Sequence, residues 1–305
     1  MKIAVVGATG VVGASTVAAL VAAGHDVFAM ARTPEKAALL ESRGANAVPA
    51  DLFDHQSLVT MFEGCDVVVN TASRVPVGYR AVLASSWREN DRLRTEGVRN
   101  VAAAARDAHV RRLVQESVSL VYADQGDDWI DERSPLDINA ATEPACVSES
   151  HVQDYQSDLR QGVVLRLGTI VGDDPMTRFM LRVARRGRAI GLGSPEGWVH
   201  PLHSDDIGSA VVAALEAPSG VYNVGAEPVR RADLLQGFAD AAGRESAAFL
   251  GPVLKRLSGR RAEPATRSLR VSSEHFRATT GWTPRRAQFD ASWLEAAEMT
   301  ARVYR

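Results

Sequence analysis

The sequence predicts an α/β protein, a doubly wound parallel sheet with a smaller, interleaved C-terminal domain. Two observations predict it. In the first 170 residues, short runs that are apolar throughout alternate with helical patterns, as expected for parallel strands covered on both faces. After residue 170 this alternation loosens into helices separated by loops rich in Gly and Pro. Right-handed crossovers then wind the sheet in both directions.

The first half supplies most of the sheet. The expected strands are Lys2–Val6, Val27–Ala31, Ala47–Val48, Asp66–Asn70, Arg112–Glu116 and Val163–Leu167. The expected helices are Val11–Ala23, Pro34–Arg43, a helix capped by Asp54 that stops at Gly64, Trp87–Ala108, and one beginning near Pro144. Thr33 before Pro34 and Gly44 after Arg43 are typical start and stop signals of a helix.

The second half predicts a smaller domain. Helices are expected near 174–187, 206–217, 231–242, 272–279 and 289–302, with short strands at Trp198–Leu202 and Val221–Val224. We therefore divide the chain into residues 1–170, which also receive strands near 198–225, and residues 171–305, which form mainly a substrate or lid domain.

Composition excludes several classes of protein. The 305 residues carry a formal charge of −2, so nothing draws the chain as a whole to nucleic acid or to an anionic membrane. Cys65 and Cys146 are too few for a disulfide framework or a cysteine zinc site, and no metal site is expected. No apolar run reaches the length of a membrane helix, and MKIAVVGATG is a strand and turn rather than a signal peptide. We expect a cytoplasmic protein.

A glycine turn joins the first strand to the first helix. Gly7, Gly10 and Gly13 have the spacing G-x-x-G-x-x-G. The first glycine permits the tight turn, the second lets a pyrophosphate approach the backbone, and the third lets helix and strand pack closely. Phosphates bind at the helix N-terminus, where N–H groups are free. The predicted dinucleotide contacts here are Gly7, Thr9, Gly10, Val11, Val12 and Gly13.

The end of the second strand favours NADP(H) over NAD(H). An NAD site places an acid there for the ribose 2′-hydroxyl. This chain has Arg32 instead, with Lys36 one helical turn on, and Asp26 comes too early to reach. A guanidinium is suited to a 2′-phosphate.

Two further segments lie at strand ends where ligands of such sheets bind. Asp51 and Leu52 follow the third strand, where an acid is able to accept a hydrogen bond from the adenine amino group. Asn70 ends the fourth strand, and the next three residues are predicted cofactor contacts: Thr71, Ala72 and Ser73.

The chain resembles the extended short-chain dehydrogenase/reductase superfamily, of the NAD-dependent epimerase/dehydratase type. The matching segments run in family order and are GATGVVG (7–13), ADLFD (50–54), GCDVVVNTAS (64–73), ESVSLVYAD (116–124), VVLRLGTIVG (163–172), PLHSDDIGSAV (201–211) and GVYNVG (220–225). The resemblance implies a Rossmann sheet, a small-molecule substrate, and a homodimer formed through the helices at 87–108 and 144–160.

The catalytic pair of that superfamily is missing. The family uses Tyr-x-x-x-Lys, in which the tyrosine is the acid/base and the lysine lowers its pKa and binds the nicotinamide ribose. Counting back from the VVLRL strand places this pair on Ala141 and Ala145. The only lysines, Lys2, Lys36 and Lys255, lie outside the relevant helix.

Residues near the end of the fifth strand are candidates to replace the missing tyrosine acid. The candidates are Tyr122, which follows that strand, and Ser117 and Ser119, which lie on either side of the usual serine position. Three functions stay open. The chain is an NADP(H)-dependent oxidoreductase acting on a small carbonyl or hydroxyl substrate, or a non-redox isomerase, dehydratase or cyclase, or a non-catalytic NADP(H) sensor.

Overall fold

The apolar runs and helical patterns form the elements in the expected order. The computed structural model describes residues 1–250 and 259–303. The strands are β1 (Lys2–Val6), β2 (Asp26–Ala31), β3 (Asn46–Pro49), β4 (Val67–Asn70), β5 (Arg112–Val118), β6 (Trp129–Ile130), β7 (Gln161–Leu167), β8 (Thr169–Val171), β9 (Trp198–Val199), β10 (Pro201–His203), β11 (Gly220–Val224), β12 (Val229–Arg230) and β13 (Arg270–Val271). The helices are α1 (Val11–Ala22), α2 (Pro34–Glu41), α3 (His55–Phe62), α4 (Arg88–Arg92), α5 (Val98–Asp107), α6 (Glu143–Tyr155), α7 (Pro175–Arg185), α8 (Ile207–Ala214), α9 (Arg231–Ala241), α10 (Gly259–Ala262), α11 (Glu274–Thr280) and α12 (Glu295–Val303).

Seven strands form one parallel sheet, which confirms the predicted fold class. Their order is β11-β7-β5-β4-β1-β2-β3. The chain therefore winds outward from β1 to β3, returns to β4 on the other side of β1, and winds outward again. The direction of winding reverses between β1 and β4, and in such sheets ligands bind at the carboxyl edge of that point.

Side chains of alternate residues fill a core on each face of the sheet. In β1, Ile3 and Val5 pack on the face that α1 and α8 cover, whereas Ala4 and Val6 pack on the face of α3 and α5. Gly208 lets α8 lie close to α1, since a Cβ there would be 2.3 Å from the Ser15 carbonyl oxygen. Both faces are covered, which explains why the strands are apolar throughout.

The predicted helix at 87–108 is interrupted. α4 and α5 are joined by a π-helical turn at Leu93–Gly97. A Cβ on Gly97 would lie 2.6 Å from Leu52 Cδ2, so the glycine lets this turn approach the loop after β3. π turns often occur at functional sites.

The second half forms small sheets and a separate core. Of the strands expected near 198–225, β11 joins the large sheet, whereas β10 pairs with β8 and β9 with β12. Phe238 and Trp293 lie in an apolar cluster beneath α7 and α9. β6 and β13 pair with each other and contribute to another apolar cluster, which contains Tyr122 and Val271. Lys255 lies outside the described residues.

Candidate functional site

The glycine turn forms a tight junction at the carboxyl end of β1. Gly7 has φ +77°, and a Cβ there would lie 2.6 Å from the Ala72 nitrogen. A Cβ on Gly13 would lie 2.1 Å from the Gly7 carbonyl oxygen. Gly10 is exposed at the start of α1, and no side chain caps the helix in the part of the chain described. The first N–H groups of α1 are thus free to bind an anion.

The end of β4 lies directly against this turn. The Thr71 hydroxyl donates to the Val6 carbonyl at 2.8 Å, and the Ala72 N–H donates to Asn70 Oδ1 at 3.1 Å. Asn70 in turn donates from Nδ2 to Gln115 Oε1 at 2.8 Å. These bonds fix the backbone that follows β4 beside the glycine turn. Thr71 and Ala72 are buried, and Ser73 is half-buried.

The predicted 2′-phosphate residues lie at the end of β2. Arg32 follows the last residue of that strand and is exposed, and Lys36 lies half-buried in the first turn of α2. No carboxylate pairs with Arg32 among the residues described. Asp26 lies at the opposite end of β2, where it accepts a hydrogen bond from Asn46 at 2.7 Å. The structure therefore leaves Arg32 available at this edge.

The two residues predicted after β3 have different environments. Asp51 is exposed, and its carboxylate accepts from the Phe53 N–H at 2.9 Å. Leu52 is 3% exposed, lies against Gly97, and accepts from Asn100 Nδ2 through its carbonyl at 3.2 Å. Leu52 therefore packs into the core on the α3 and α5 face, and the exposed Asp51 is free to contact a ligand.

Tyr122 lies in a buried polar network. Its hydroxyl donates to Asn223 Oδ1 at 2.7 Å and accepts from Arg166 Nη1 at 2.8 Å. Burial raises the pKa of this phenol to about 12, although the positive charge of Arg166 opposes the rise. Both hydrogen-bonding directions of the hydroxyl are thus occupied. Its predicted catalytic role stays a prediction, and these contacts favour a structural one.

The two serines are also buried. The Ser117 hydroxyl donates to Glu149 Oε1 at 2.6 Å. Glu149 also accepts from Arg166, at 3.0 Å from Nε and 2.6 Å from Nη2. Ser119 is 2% exposed in the turn after β5. The Ser117 hydroxyl is therefore engaged with Glu149, and the catalytic predictions for both serines stay predictions.

The positions aligned with the family pair are apolar. Ala145 is 3% exposed on α6 and packs in the same apolar cluster as Tyr122 and Ile130. Ala141 precedes α6. These two positions thus carry no charged side chain.

Sequence reasoning missed a buried ion pair close to this edge. Arg94 Nη2 lies 2.7 Å from Glu116 Oε1, and the side chains are 5% and 7% exposed. Glu116 is buried in β5, and a buried acid needs a partner. That requirement is the signal that could have pointed to Arg94.

The described residues fit a dinucleotide and provide no metal site. The glycines leave space that a Cβ would fill, helix N–H groups are free, and Arg32 offers a cation one strand away. No group of three His, Cys, Asp or Glu side chains within residues 1–250 and 259–303 is arranged to hold a metal ion. Nor does that part of the chain contain a helix long and apolar enough to cross a membrane.

The surface predicted to form a homodimer contains a shallow cavity. About 350 Å³ of space lies where α6 faces α5 and the π turn before α5, and it is lined by Thr95, Glu96, Arg99, Val147 and His151. Burial lowers the pKa of His151. Dimerisation through this surface stays a prediction.

Comparison with known proteins agrees with this geometry. A family model described as NAD(P)H-binding matches residues 7–218. A 3-diazoavenalumate denitrifying reductase from a Streptomyces species is 32% identical over 302 residues, which cover 93% of this chain and 96% of that protein. The human epimerase family protein SDR39U1, solved with NADPH, is 25% identical with a TM-score of 0.81, over 98% of this chain and 99% of that one. The UDP-glucose 4-epimerase of Thermotoga maritima, solved with UDP-glucose, has a TM-score of 0.80 at 16% identity, over 100% and 99% of the two chains.

Proposed function

Since this chain belongs to the NAD(P)H-binding family, we propose that it is a reductase that uses NADPH to reduce a small organic substrate. The observation that carries the proposal is the glycine turn, in which Gly7 and Gly13 bring β1, β4 and α1 into contact and leave helix N–H groups free. When bound, the dinucleotide supplies the hydride, and the protein supplies orientation and electrostatics. The name of the Streptomyces relative supports a reductase.

The preference for NADPH rests on Arg32. Its guanidinium follows the last residue of β2, where an NAD-specific site would carry an acid. Planar guanidinium groups pair with phosphate through two parallel hydrogen bonds, whereas a ribose hydroxyl gains little from them. Lys36 adds a second cation one turn into α2.

The proton donors near the site constrain which substrate can accept the hydride. Reduction of a carbonyl consumes a hydride at carbon and a proton at oxygen. The Tyr122 phenol is engaged with Asn223 and has a pKa of about 12, and the Ser117 hydroxyl donates to Glu149. Neither group is placed to protonate a substrate, so a carbonyl substrate would depend on water or on Ser119.

We therefore favour an acceptor that needs a hydride alone. An aryl diazonium ion is such an acceptor: the hydride cancels its positive charge, a C–H bond replaces the C–N bond, and N₂ leaves with both bonding electrons of that C–N bond. No proton is consumed in this net step. The Streptomyces relative, which matches over most of both chains, is named for a diazo compound and for denitrification.

Isotope transfer tests the proposal. The chain is incubated with NADPH deuterated at C4 of the nicotinamide and with three substrates, an aryl diazonium carboxylate, the matching aryl ketone and the matching enone. We expect deuterium in the arene at the carbon that carried N₂, with one N₂ released for each NADPH oxidised. Reactions without protein measure spontaneous reduction.

The outcomes separate the parts of the proposal. Deuterium in the ketone or enone product alone would keep the reductase and overturn the diazonium acceptor. Product formation without net oxidation of NADPH would favour an isomerase, dehydratase or cyclase. NADPH binding without turnover of any substrate would favour a sensor.

A further inference from the structure

The buried pair of Arg94 and Glu116 is incompletely bonded. One nitrogen of the guanidinium contacts one carboxylate oxygen, at 2.7 Å. A second nitrogen, Arg94 Nη1, and the other oxygen, Glu116 Oε2, are buried and have no hydrogen-bond partner among the described residues. Leaving such groups unpaired destabilises the folded state, and more so when they are charged. A buried pair of this kind needs another group to complete it.

The neighbouring buried pair provides the contrast. Arg166 bonds Glu149 through two nitrogens and Tyr122 through the third. Ser117 also donates to Glu149. Every nitrogen of that guanidinium is therefore used within the protein, whereas Arg94 keeps a donor free. The difference points to a ligand at the Arg94 pair.

The position of the pair follows from the strand register. Asn70 of β4 pairs with Gln115 of β5, so Glu116 lies at the level of Thr71. On the helix side, Asn90 lies one turn before Arg94, and its Oδ1 accepts from the backbone N–H of Arg74 at 3.0 Å. The pair thus lies beside the segment that follows β4.

This place corresponds to one half of a bound dinucleotide. Arg32 and Asp51 follow β2 and β3, so the adenosine half lies on that side of the glycine turn. The other half, with its nicotinamide and ribose, must then extend over β4 and β5. This step rests on the proposed function, which places NADPH at the turn.

We propose that Arg94 and Glu116 bind a hydroxyl of the nicotinamide ribose. A hydroxyl both donates and accepts one hydrogen bond, so it matches the free N–H of Arg94 together with the free oxygen of Glu116. Glu116 also holds the guanidinium in place. Ala145 offers no cation on α6, whereas Arg94 carries a positive charge on this side of the site.

The test compares two ligands that differ in the nicotinamide half. NADPH carries the nicotinamide ribose, and 2′,5′-ADP has only the adenosine half with its 2′-phosphate. The double variant Arg94→Met with Glu116→Leu removes both charges, because replacing a buried ion pair by apolar groups of similar volume commonly preserves folding. Calorimetry measures binding of each ligand, and thermal unfolding checks the fold.

We expect a loss confined to NADPH. Its affinity should fall about ten- to hundredfold, as expected for charge-assisted hydrogen bonds, while that of 2′,5′-ADP changes less than about twofold. The control is Arg261→Met with Asp91→Leu, which removes an ion pair between α10 and α4, bonded at 2.6 and 3.1 Å. This control should bind both ligands like the wild type.

Two results would overturn the proposal. NADPH affinity unchanged in a folded double variant would make the pair structural. An equal loss for NADPH and 2′,5′-ADP would show that the pair shapes the whole site rather than the ribose contact. A wild-type chain that binds neither ligand would instead overturn the proposed function on which this inference rests. If the double variant fails to fold, Glu116→Gln with NADPH and 2′,5′-ADP provides the same comparison.

Discussion

Replacing Gly10 with alanine should separate ligand binding from folding. Gly10 has φ −74° and ψ 175°, a conformation open to alanine, and the new Cβ would lie 3.4 Å from the Gly7 carbonyl oxygen, an ordinary contact. Alanine is a poorer N-cap than glycine, which should lower the free energy of unfolding by about 1 kcal/mol. Alanine also reduces the entropy of the unfolded chain, which should raise the free energy of unfolding by about 0.4–1 kcal/mol. These effects nearly cancel, so stability should change by less than about 1 kcal/mol.

The affinity of the Gly10→Ala variant for NADPH should change far more than its stability. The methyl group would occupy the space through which a pyrophosphate approaches the backbone at the start of α1. Displacing the phosphates would remove charge-assisted hydrogen bonds of about 1.5–3 kcal/mol, a ten- to hundredfold loss of affinity. Urea unfolding and calorimetric titration with NADPH measure the two quantities.

Two other glycines are matched controls. Gly13→Ala places its Cβ 2.1 Å from the Gly7 carbonyl oxygen and should destabilise the fold itself. Gly64→Ala has open space around it but φ +71°, so it should cost about 1–2 kcal/mol of stability and leave NADPH binding unchanged. A Gly10→Ala variant that binds NADPH as tightly as the wild type would refute this reasoning.

The remaining predictions concern cofactor choice, the buried phenol and pH. Arg32→Ala should weaken NADPH binding about tenfold or more and NADH binding little, by calorimetry; equal losses would contradict the 2′-phosphate contact. Tyr122→Phe should lower the free energy of unfolding by about 1–3 kcal/mol, because Asn223 and Arg166 each lose a buried partner, with little effect on the rate of hydride transfer in single-turnover kinetics. Burial lowers the pKa of His200 from 6.5 to about 3. As pH falls, the histidine is therefore protonated in the unfolded chain before it is protonated in the folded one. The free energy of unfolding should decline below about pH 6.5 by up to ~1.4 kcal/mol per pH unit. Urea unfolding measures this slope, which His200→Gln should reduce.

Local chemistry made the fold and the glycine turn predictable. The G-x-x-G-x-x-G spacing requires close backbone contact, and the structure has it at Gly7 and Gly13. Apolar strands predicted the parallel sheet because both of its faces are buried. The position of Arg32 followed from counting to the end of a strand, which needs no tertiary information.

The other features of the candidate site depended on tertiary contacts that sequence spacing does not encode. Tyr122 follows β5, as expected, but its hydroxyl is held by Asn223, which lies 101 residues further along the chain. The π turn at Leu93–Gly97 has no evident periodicity signal, because it changes the helix by a single hydrogen-bond step. Arg94 lies within that turn, so helical spacing did not reveal its pairing with Glu116, although a buried acid in β5 signals the need for a partner.

The central claim is that this chain holds NADPH on the glycine turn. Calorimetric titration of the wild-type chain with NADPH and with NADH tests it most directly. We predict saturable binding of one NADPH per chain, with NADH at least about tenfold weaker because it lacks the phosphate that Arg32 would contact. Absence of binding heat with both nucleotides at several temperatures would contradict the account.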